Sequence, residues 1–211
     1  MEFSYYGAGC VCISTKDLSI LVDPPTSDSG LKLPKVKADV VLYSNQSAST
    51  ETVHGESFVT NLPGEYELKG VSIQGIAAQQ HIDKPSDPKA AVIYAIQNSE
   101  VRALVTGNID PQLSDSQVEA IGEVNVLIIP VGGKGLTLDA NAACKLVTQF
   151  EPQYIIPVHY DDGDTKYPVP QDKLETFLQE VGVESPEKKV KLKVTAKNLE
   201  QEAEVVVLER Q

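Results

Sequence analysis

Hydrophobic and polar residues alternate in short runs through the first half of the chain, which is typical of β-strands. In Cys10–Ser14 the alternation places Val11 and Ile13 on one face and both cysteines on the other. Turn residues separate the runs, and Lys69-Gly70 has the composition of a two-residue hairpin turn. The pattern predicts strands at 3–6, 10–14, 18–22, 40–43, 65–68, 71–77, 90–96 and 101–106. Such closely spaced strands favour antiparallel pairing near the start of the chain.

The period of the pattern changes after residue 107. Helices are predicted at 114–121, 139–150 and 171–181, alternating with buried strands at 126–130 and 154–157, and strands at 190–194 and 204–208 close the chain. Hairpins followed by strand–helix alternation favour a mixed α/β sandwich. Because no linker is evident, residues 1–211 are predicted to form one domain.

The composition limits the partners and the compartment. The chain carries 18 basic and 30 acidic residues, a net charge of −12, which disfavours binding to phosphate backbones. The three cysteines form no CxxC pair. The first residues lack the basic and apolar regions of a secretory signal, and the apolar run at 126–131 is too short to span a membrane. We expect a soluble cytoplasmic protein without nucleic-acid or membrane partners, and the sequence leaves homo-oligomerisation open.

Several segments occur in an order that matches a known family. They are YYGAGCVCIS (5–14), ILVDP (20–24), ADVVLYS (38–44), PGEYELKGVSIQGI (63–76), VTGN (105–108), VLIIPVGG (126–133), LDANAA (138–143) and PQYIIPVHY (152–160). This set resembles the metallo-β-lactamase superfamily, and most of all its branch of zinc-dependent hydrolases related to L-ascorbate-6-phosphate lactonase. The resemblance implies a four-layer αββα sandwich of two mixed sheets flanked by helices, with the functional site in the loops at one sheet edge.

The resemblance also locates the family's metal-binding positions, and most of them carry other residues here. The main ligand motif, H-x-H-x-D-H, falls on Asn45, Ser47, Ser49 and Thr50, and the bridging aspartate falls on Asn108. The mid-chain and C-terminal ligand histidines match His81 and His159. These seven residues would form a vestigial pocket.

Amide and hydroxyl oxygens are neutral and bind zinc poorly, whereas catalytic zinc takes about three imidazole, thiolate or carboxylate ligands. Without the metal, no water is activated near neutral pH. We therefore expect no zinc cofactor and no standard zinc hydrolysis. The favoured interpretation is a pseudoenzyme that binds an unidentified small molecule or protein.

An alternative remains open, namely a metal-dependent hydrolase of a small substrate, including an anionic one. Its site would be rearranged around His81 and His159, with Asp110 as a third ligand for one zinc ion. Gly133 and Lys134 follow a strand and could contact an anion, although glycines there also suit the backbone conformation.

Other polar residues near these positions have structural interpretations. Ser44, Ser47 and Ser49 could serve as nucleophiles near His159, although hydrogen bonding in the vacated pocket is the simpler interpretation. Asp23 is expected to orient neighbouring backbone, and Cys10 and Cys12 are expected to be small buried hydrophobic residues.

Overall fold

The protein is described by a computed structural model covering residues 1–46, 48, 57–81, 88–200 and 202–211. Its first strands belong to one mixed sheet. They are β1 (Glu2–Gly7), β2 (Cys10–Ser14), β3 (Ser19–Val22), β4 (Val40–Leu42) and β5 (Phe58–Thr60). The antiparallel start expected from the sequence is confirmed for β1, β2 and β3, while β3, β4 and β5 run parallel.

The second sheet begins with hairpins and ends with parallel strands. The remaining elements are β6 (Gly64–Leu68), β7 (Val71–Ala78), β8 (Ala91–Gln97), β9 (Arg102–Val105), α1 (Asp115–Ile121), β10 (Val126–Pro130), α2 (Ala140–Phe150), β11 (Tyr154–Val158), α3 (Leu174–Glu180), β12 (Glu187–Lys189), β13 (Leu192–Lys193) and β14 (Glu204–Leu208). Among the described residues the strand order is β12-β14-β11-β10-β9-β8-β7-β6, and β13 joins the other sheet beside β1. The β6–β7 turn confirms the hairpin prediction, because Lys69 and Gly70 have φ angles of 48° and 76°.

The main core lies between the two sheets, and a second core lies between the second sheet and the helices. Strand β10 is apolar throughout because both of its faces are buried. Val126 and Ile128 face the first core, while Leu127 and Ile129 face the second. Helix α2 packs Ala143 and Leu146 into this second core. The predicted sandwich of two mixed sheets with flanking helices is confirmed.

The helices of the described part of the chain all contribute to the core on the outer side of the second sheet. The outer face of the first sheet is covered differently. There Cys10, Cys12 and Val41 are buried with Ala38, and Val36 packs against them from the segment before β4. The two cysteines are therefore small buried hydrophobic residues, as predicted.

Three local predictions need correction. Strand β5 was not predicted from the sequence. Helix α3 begins at Leu174, three positions after the predicted start, because Gln171 and Asp172 belong to the preceding loop. The strand predicted at 190–194 is shortened to β13, which pairs with β1. The preceding strand β12, which was not predicted, pairs with β14 in the other sheet. Val190, between β12 and β13, is 53% exposed.

Candidate functional site

The carboxyl ends of parallel strands from both sheets meet at one edge of the sandwich. Asp23 follows β3, and Ser44 and Asn45 come shortly after β4. Asn108 comes after β9, and His159 follows β11. All five residues line a cavity of about 520 Å³. Ligands of open α/β sheets bind at such strand ends, so this cavity is the candidate functional site.

The main cavity is lined by both apolar and polar residues. Of the apolar ones, Val105, Ile128 and Val158 belong to three parallel strands. Two loops form the rim, and the Lys166 amide joins them by donating to the Ser29 carbonyl at 2.8 Å. The ring of Tyr167 in the same loop lies 4.7 Å from the His159 ring, centroid to centroid.

Asp23 and Ser44 form a two-point contact at the cavity. The Ser44 backbone N–H donates to Oδ1 of Asp23, and the Ser44 hydroxyl donates to Oδ2, both at 2.7 Å. Burial raises the pKa of Asp23 to about 6, although both hydrogen bonds from Ser44 act in the opposite direction. The expected role of Asp23 in orienting neighbouring backbone is therefore present, with Ser44 as the residue that it holds.

Gly107 allows the ends of β4 and β9 to approach closely. Its φ of +63° favours glycine, and a Cβ atom there would lie 2.5 Å from both Cβ and Oγ of Ser44. Because Asn45 follows Ser44 and Asn108 follows Gly107, this contact places the two asparagines at the same cavity.

His159 is held in an unusual backbone conformation at the other side of the cavity. Its φ is 54°, and its N–H donates to the Ala8 carbonyl at 2.8 Å. Burial lowers the pKa of the imidazole to about 4. Hydrogen bonding with its own backbone and with the Gln171 side chain favours the charged form and has a smaller, opposite effect on the pKa. The ring is therefore neutral at pH 7. In the described part of the chain, its buried Nδ1 has no partner with good hydrogen-bond geometry.

His81 lies beside the main cavity, in a smaller adjoining one. This cavity of about 90 Å³ is lined by His81 together with Ser44, Asn45 and Asn108. The His81 backbone N–H donates to the Asn108 carbonyl at 3.0 Å. Its Nδ1 is also buried without a partner among the described residues.

The structure thus brings four of the predicted pocket residues to two adjoining cavities: Asn45, His81, Asn108 and His159. The other three, Ser47, Ser49 and Thr50, lie outside the described residues.

Asp110, the suggested third zinc ligand, is not brought to the two histidines. Its carboxylate accepts from the Gln112 backbone N–H at 2.8 Å, and its own N–H donates to the Gln79 carbonyl. In the described chain it lines neither cavity. A local turn uses its side chain instead.

Gly133 and Lys134 also lie away from the lining of the main cavity as far as the structure describes it. The Lys134 ammonium pairs with Asp172 at 2.9 Å, and the Gly133 N–H donates to the Leu138 carbonyl. Both have positive φ angles, so the conformational interpretation of the glycine applies. Lys166, which sequence reasoning missed, is the lysine at the rim of the cavity.

The described residues at this edge do not fit a dinuclear zinc centre. Nowhere in the described ranges do three His, Cys, Asp or Glu side chains come together in a group able to hold a metal ion. Asn45 and Asn108 offer neutral amides, and both oxygens of Asp23 already accept hydrogen bonds from Ser44. His81 and His159 are the imidazole donors that the chemistry of zinc would favour.

Comparison with known proteins agrees with this architecture. A family model described as a beta-lactamase superfamily domain matches residues 2–159. The chain belongs to this superfamily. A UPF0173 protein of Pyrococcus abyssi is 21% identical to it over 180 residues, covering 76% of this chain and 83% of that protein. This relationship fits the branch expected from the sequence.

Solved structures of similar proteins extend the comparison to the whole chain. A protein of Thermotoga maritima, proposed to be a Zn-dependent hydrolase of the metallo-beta-lactamase superfamily, is 25% identical with a TM-score of 0.77, covering 100% of this chain and 99% of that one. The metallo hydrolase Igni18 of Ignicoccus hospitalis is 16% identical with a TM-score of 0.65, covering 92% and 99%. The similarity to the Ignicoccus hospitalis structure shows that the two proteins share a fold.

None of the helices in the described residues is long and apolar enough to cross a bilayer.

Proposed function

We propose that this chain binds a small molecule in the main cavity and does not carry the dinuclear zinc centre of its superfamily. The observation that supports this proposal most directly is the presence of Asn45 and Asn108 at the ends of β4 and β9. At the strand ends where a zinc pair requires charged or imidazole donors, the cavity offers primary amides.

The form of the cavity suits a small organic ligand. Its volume of about 520 Å³ falls within the range of ordinary ligand pockets. The apolar side chains would bury a hydrocarbon or ring, while the Asn108 side chain can donate and accept hydrogen bonds. The Asn45 oxygen already accepts from Nε2 of Gln80 at 3.0 Å. The neutral His159 ring adds a further partner without a charge. The favoured ligand is therefore uncharged over most of its surface, with a hydrogen-bonding edge.

The zinc part of the proposal is tested by titrating zinc into the protein in a calorimeter. The matched variant combines Asn45→His with Asn108→Asp, which restores two donors of the superfamily at positions lining the cavity. We expect no tight zinc binding by the wild-type protein and measurable binding by the double variant. Two tight sites in the wild-type protein would contradict the proposal.

A second candidate function is a metal-dependent hydrolase with one metal ion near His81 and His159. Two observations favour it. The Nδ1 atoms of both rings are buried and, in the described ranges, have no partner with good hydrogen-bond geometry, and the Thermotoga maritima relative is proposed to be a Zn-dependent hydrolase. Such an activity would disappear on chelation and in a His81→Ala, His159→Ala double variant. Persistence of the activity in both cases would exclude this candidate.

We also propose that the protein has no nucleic-acid partner. The net charge of −12 repels phosphate backbones over the surface as a whole. Filter-binding assays at moderate salt should retain neither DNA nor RNA. Tight, salt-sensitive retention would contradict this part of the proposal.

A further inference from the structure

We propose that Ser44 is a nucleophile that accepts acyl groups from activated esters, with Asp23 as its general base. This inference goes beyond binding and rests on the proposed function in one respect, namely that the cavity admits a small molecule. It requires no metal ion. Ser44 belongs to the lining of both the main cavity and the smaller one beside it.

The hydrogen bond between these residues has the geometry that proton transfer requires. The Ser44 hydroxyl donates to Oδ2 of Asp23 at 2.7 Å, within the reach of a general base. The Ser44 N–H holds Oδ1 at the same distance, so the carboxylate is fixed at both oxygens. A base that is already in contact with the proton loses no entropy in reaching it.

The surroundings of Asp23 favour its action as a base. Burial holds the pKa of this carboxyl at about 6, and no lysine or arginine of the described chain stabilises its charge. Near neutral pH the group is therefore mostly ionised, yet more basic than an exposed aspartate. An arginine or lysine partner would have had the opposite effect on its basicity.

The same cavity supplies a donor for the charge that develops on the substrate. The side-chain amide of Asn108 belongs to the cavity lining and follows Gly107, which packs against Ser44. Amide N–H groups stabilise an oxyanion when they face it in a site with apolar walls. Here Val105 and Ile128 provide such walls.

The proposed step balances without a further reactant. The Ser44 proton moves to Oδ2 of Asp23 while Oγ forms a bond to the carbonyl carbon, and the carbonyl electron pair moves to oxygen. Collapse of this intermediate breaks the bond to the leaving alkoxide, which takes the proton from Asp23. Water, deprotonated by Oδ2 of Asp23, then attacks the acyl–Ser44 ester. Collapse of this second intermediate breaks the bond between Oγ and the acyl carbon, and Oγ takes the proton back from Asp23, which leaves a carboxylic acid and the free Ser44 hydroxyl.

The test uses p-nitrophenyl acetate as the probe, on full-length protein with EDTA present throughout. Release of p-nitrophenolate is recorded with time, and the acylated residue is located by mass spectrometry of peptides after acid quenching. We expect the acetyl group on Ser44. Ser44→Ala should lower the rate at least about a hundredfold, and Asp23→Asn should lower it by about the same factor.

Ser14→Ala is the matched control. Ser14 lines neither of the two cavities, and its hydroxyl donates to the Glu2 carbonyl rather than to a carboxylate. This variant should retain the wild-type rate. The position of the label in the wild-type protein remains decisive even if the Ser44 or Asp23 variant does not fold.

Two results would overturn the inference. One is acetylation confined to lysines or the N-terminus, with the Ser44 peptide unmodified. The other is hydrolysis that occurs in a parallel assay without EDTA and disappears when EDTA is added, which would indicate metal chemistry. The zinc titration measures metal binding directly and without the ester, so failure of the nucleophile and failure of the proposed binding function can be distinguished.

Discussion

Asp23 and His159 line the same cavity, and burial moves their pKa values in opposite directions. It raises the pKa of Asp23 to about 6 and lowers that of His159 to about 4. Each shift therefore keeps its residue closer to the neutral form. The consequence is that two residues of one site make the stability of the fold depend on pH with opposite signs.

For Asp23, the folded protein holds the proton at pH values where the unfolded chain has released it. Folding stability attributable to this group therefore falls as pH rises from about 4 to about 6. The Asp23→Asn variant should lack this pH dependence. Between pH 4 and pH 6, its free energy of unfolding relative to that of wild type should therefore rise by at most about 3 kcal/mol. Urea denaturation at a series of pH values measures it, and an unchanged slope would show that the carboxyl is not buried.

For His159 the sign is reversed, because the unfolded chain binds the proton first as pH falls. Its contribution to stability is lost on acidification from about pH 6.5 towards pH 4. His159→Asn, which suits the left-handed backbone at this position, should therefore be less sensitive to acid than wild type. The same denaturation series tests this, and greater acid sensitivity of the variant would contradict the buried, neutral ring.

The close contact at Gly107 makes a separate prediction. Gly107→Ala would place a methyl group 2.5 Å from the Ser44 side chain, at a φ of +63°. We expect a loss of about 2–4 kcal/mol in the free energy of unfolding, from backbone strain and overpacking together. Gly163→Ala is the control, since it has a similar φ but nothing within 4 Å of the added atom. Equal losses in the two variants would mean that the contact with Ser44 contributes nothing.

Among the strands and helices, the bounds predicted correctly from the sequence are those that the local apolar pattern determines. The bounds of β2, β10 and β14 agree with the pattern, and α2 begins one residue after its predicted start at 139. Strands β5 and β12 and the short length of β13 were not predictable in this way, because long-range pairing decides them. Val190 and Lys191 continue the alternation of the neighbouring strands although the chain leaves one sheet there for the other.

The N-terminal cap of α2 is a test at this scale. Asp139 accepts from the Ala142 N–H at 2.8 Å, so Asp139→Ala should cost about 1 kcal/mol of folding free energy. The exposed Gln149→Ala on the same helix should change it by less than about 0.5 kcal/mol. Chemical denaturation of both variants gives the comparison, and a neutral Asp139 variant would contradict the capping role.

At the scale of the whole molecule, the order of the family segments predicted where the site would lie. The structure brings Asn45, Asn108 and His159 to one cavity, since each follows a strand whose direction is fixed by its neighbours. The Asp23–Ser44 contact and the loop carrying Lys166 and Tyr167 could not be predicted, because they depend on how two distant segments meet. For Asp110 the prediction was wrong. It lies close to Asn108 in sequence, but its side chain is used in a local turn and is not brought to His81 and His159.

We propose that the cavity of this superfamily fold does not hold a zinc pair. Elemental analysis of the native protein, purified from its own cells without chelator and with zinc available throughout, is the decisive experiment. We expect well below one equivalent of zinc per chain and no change in thermal stability when EDTA is added. Two retained zinc ions per chain, whose removal lowers the melting temperature, would show that the proposal is wrong.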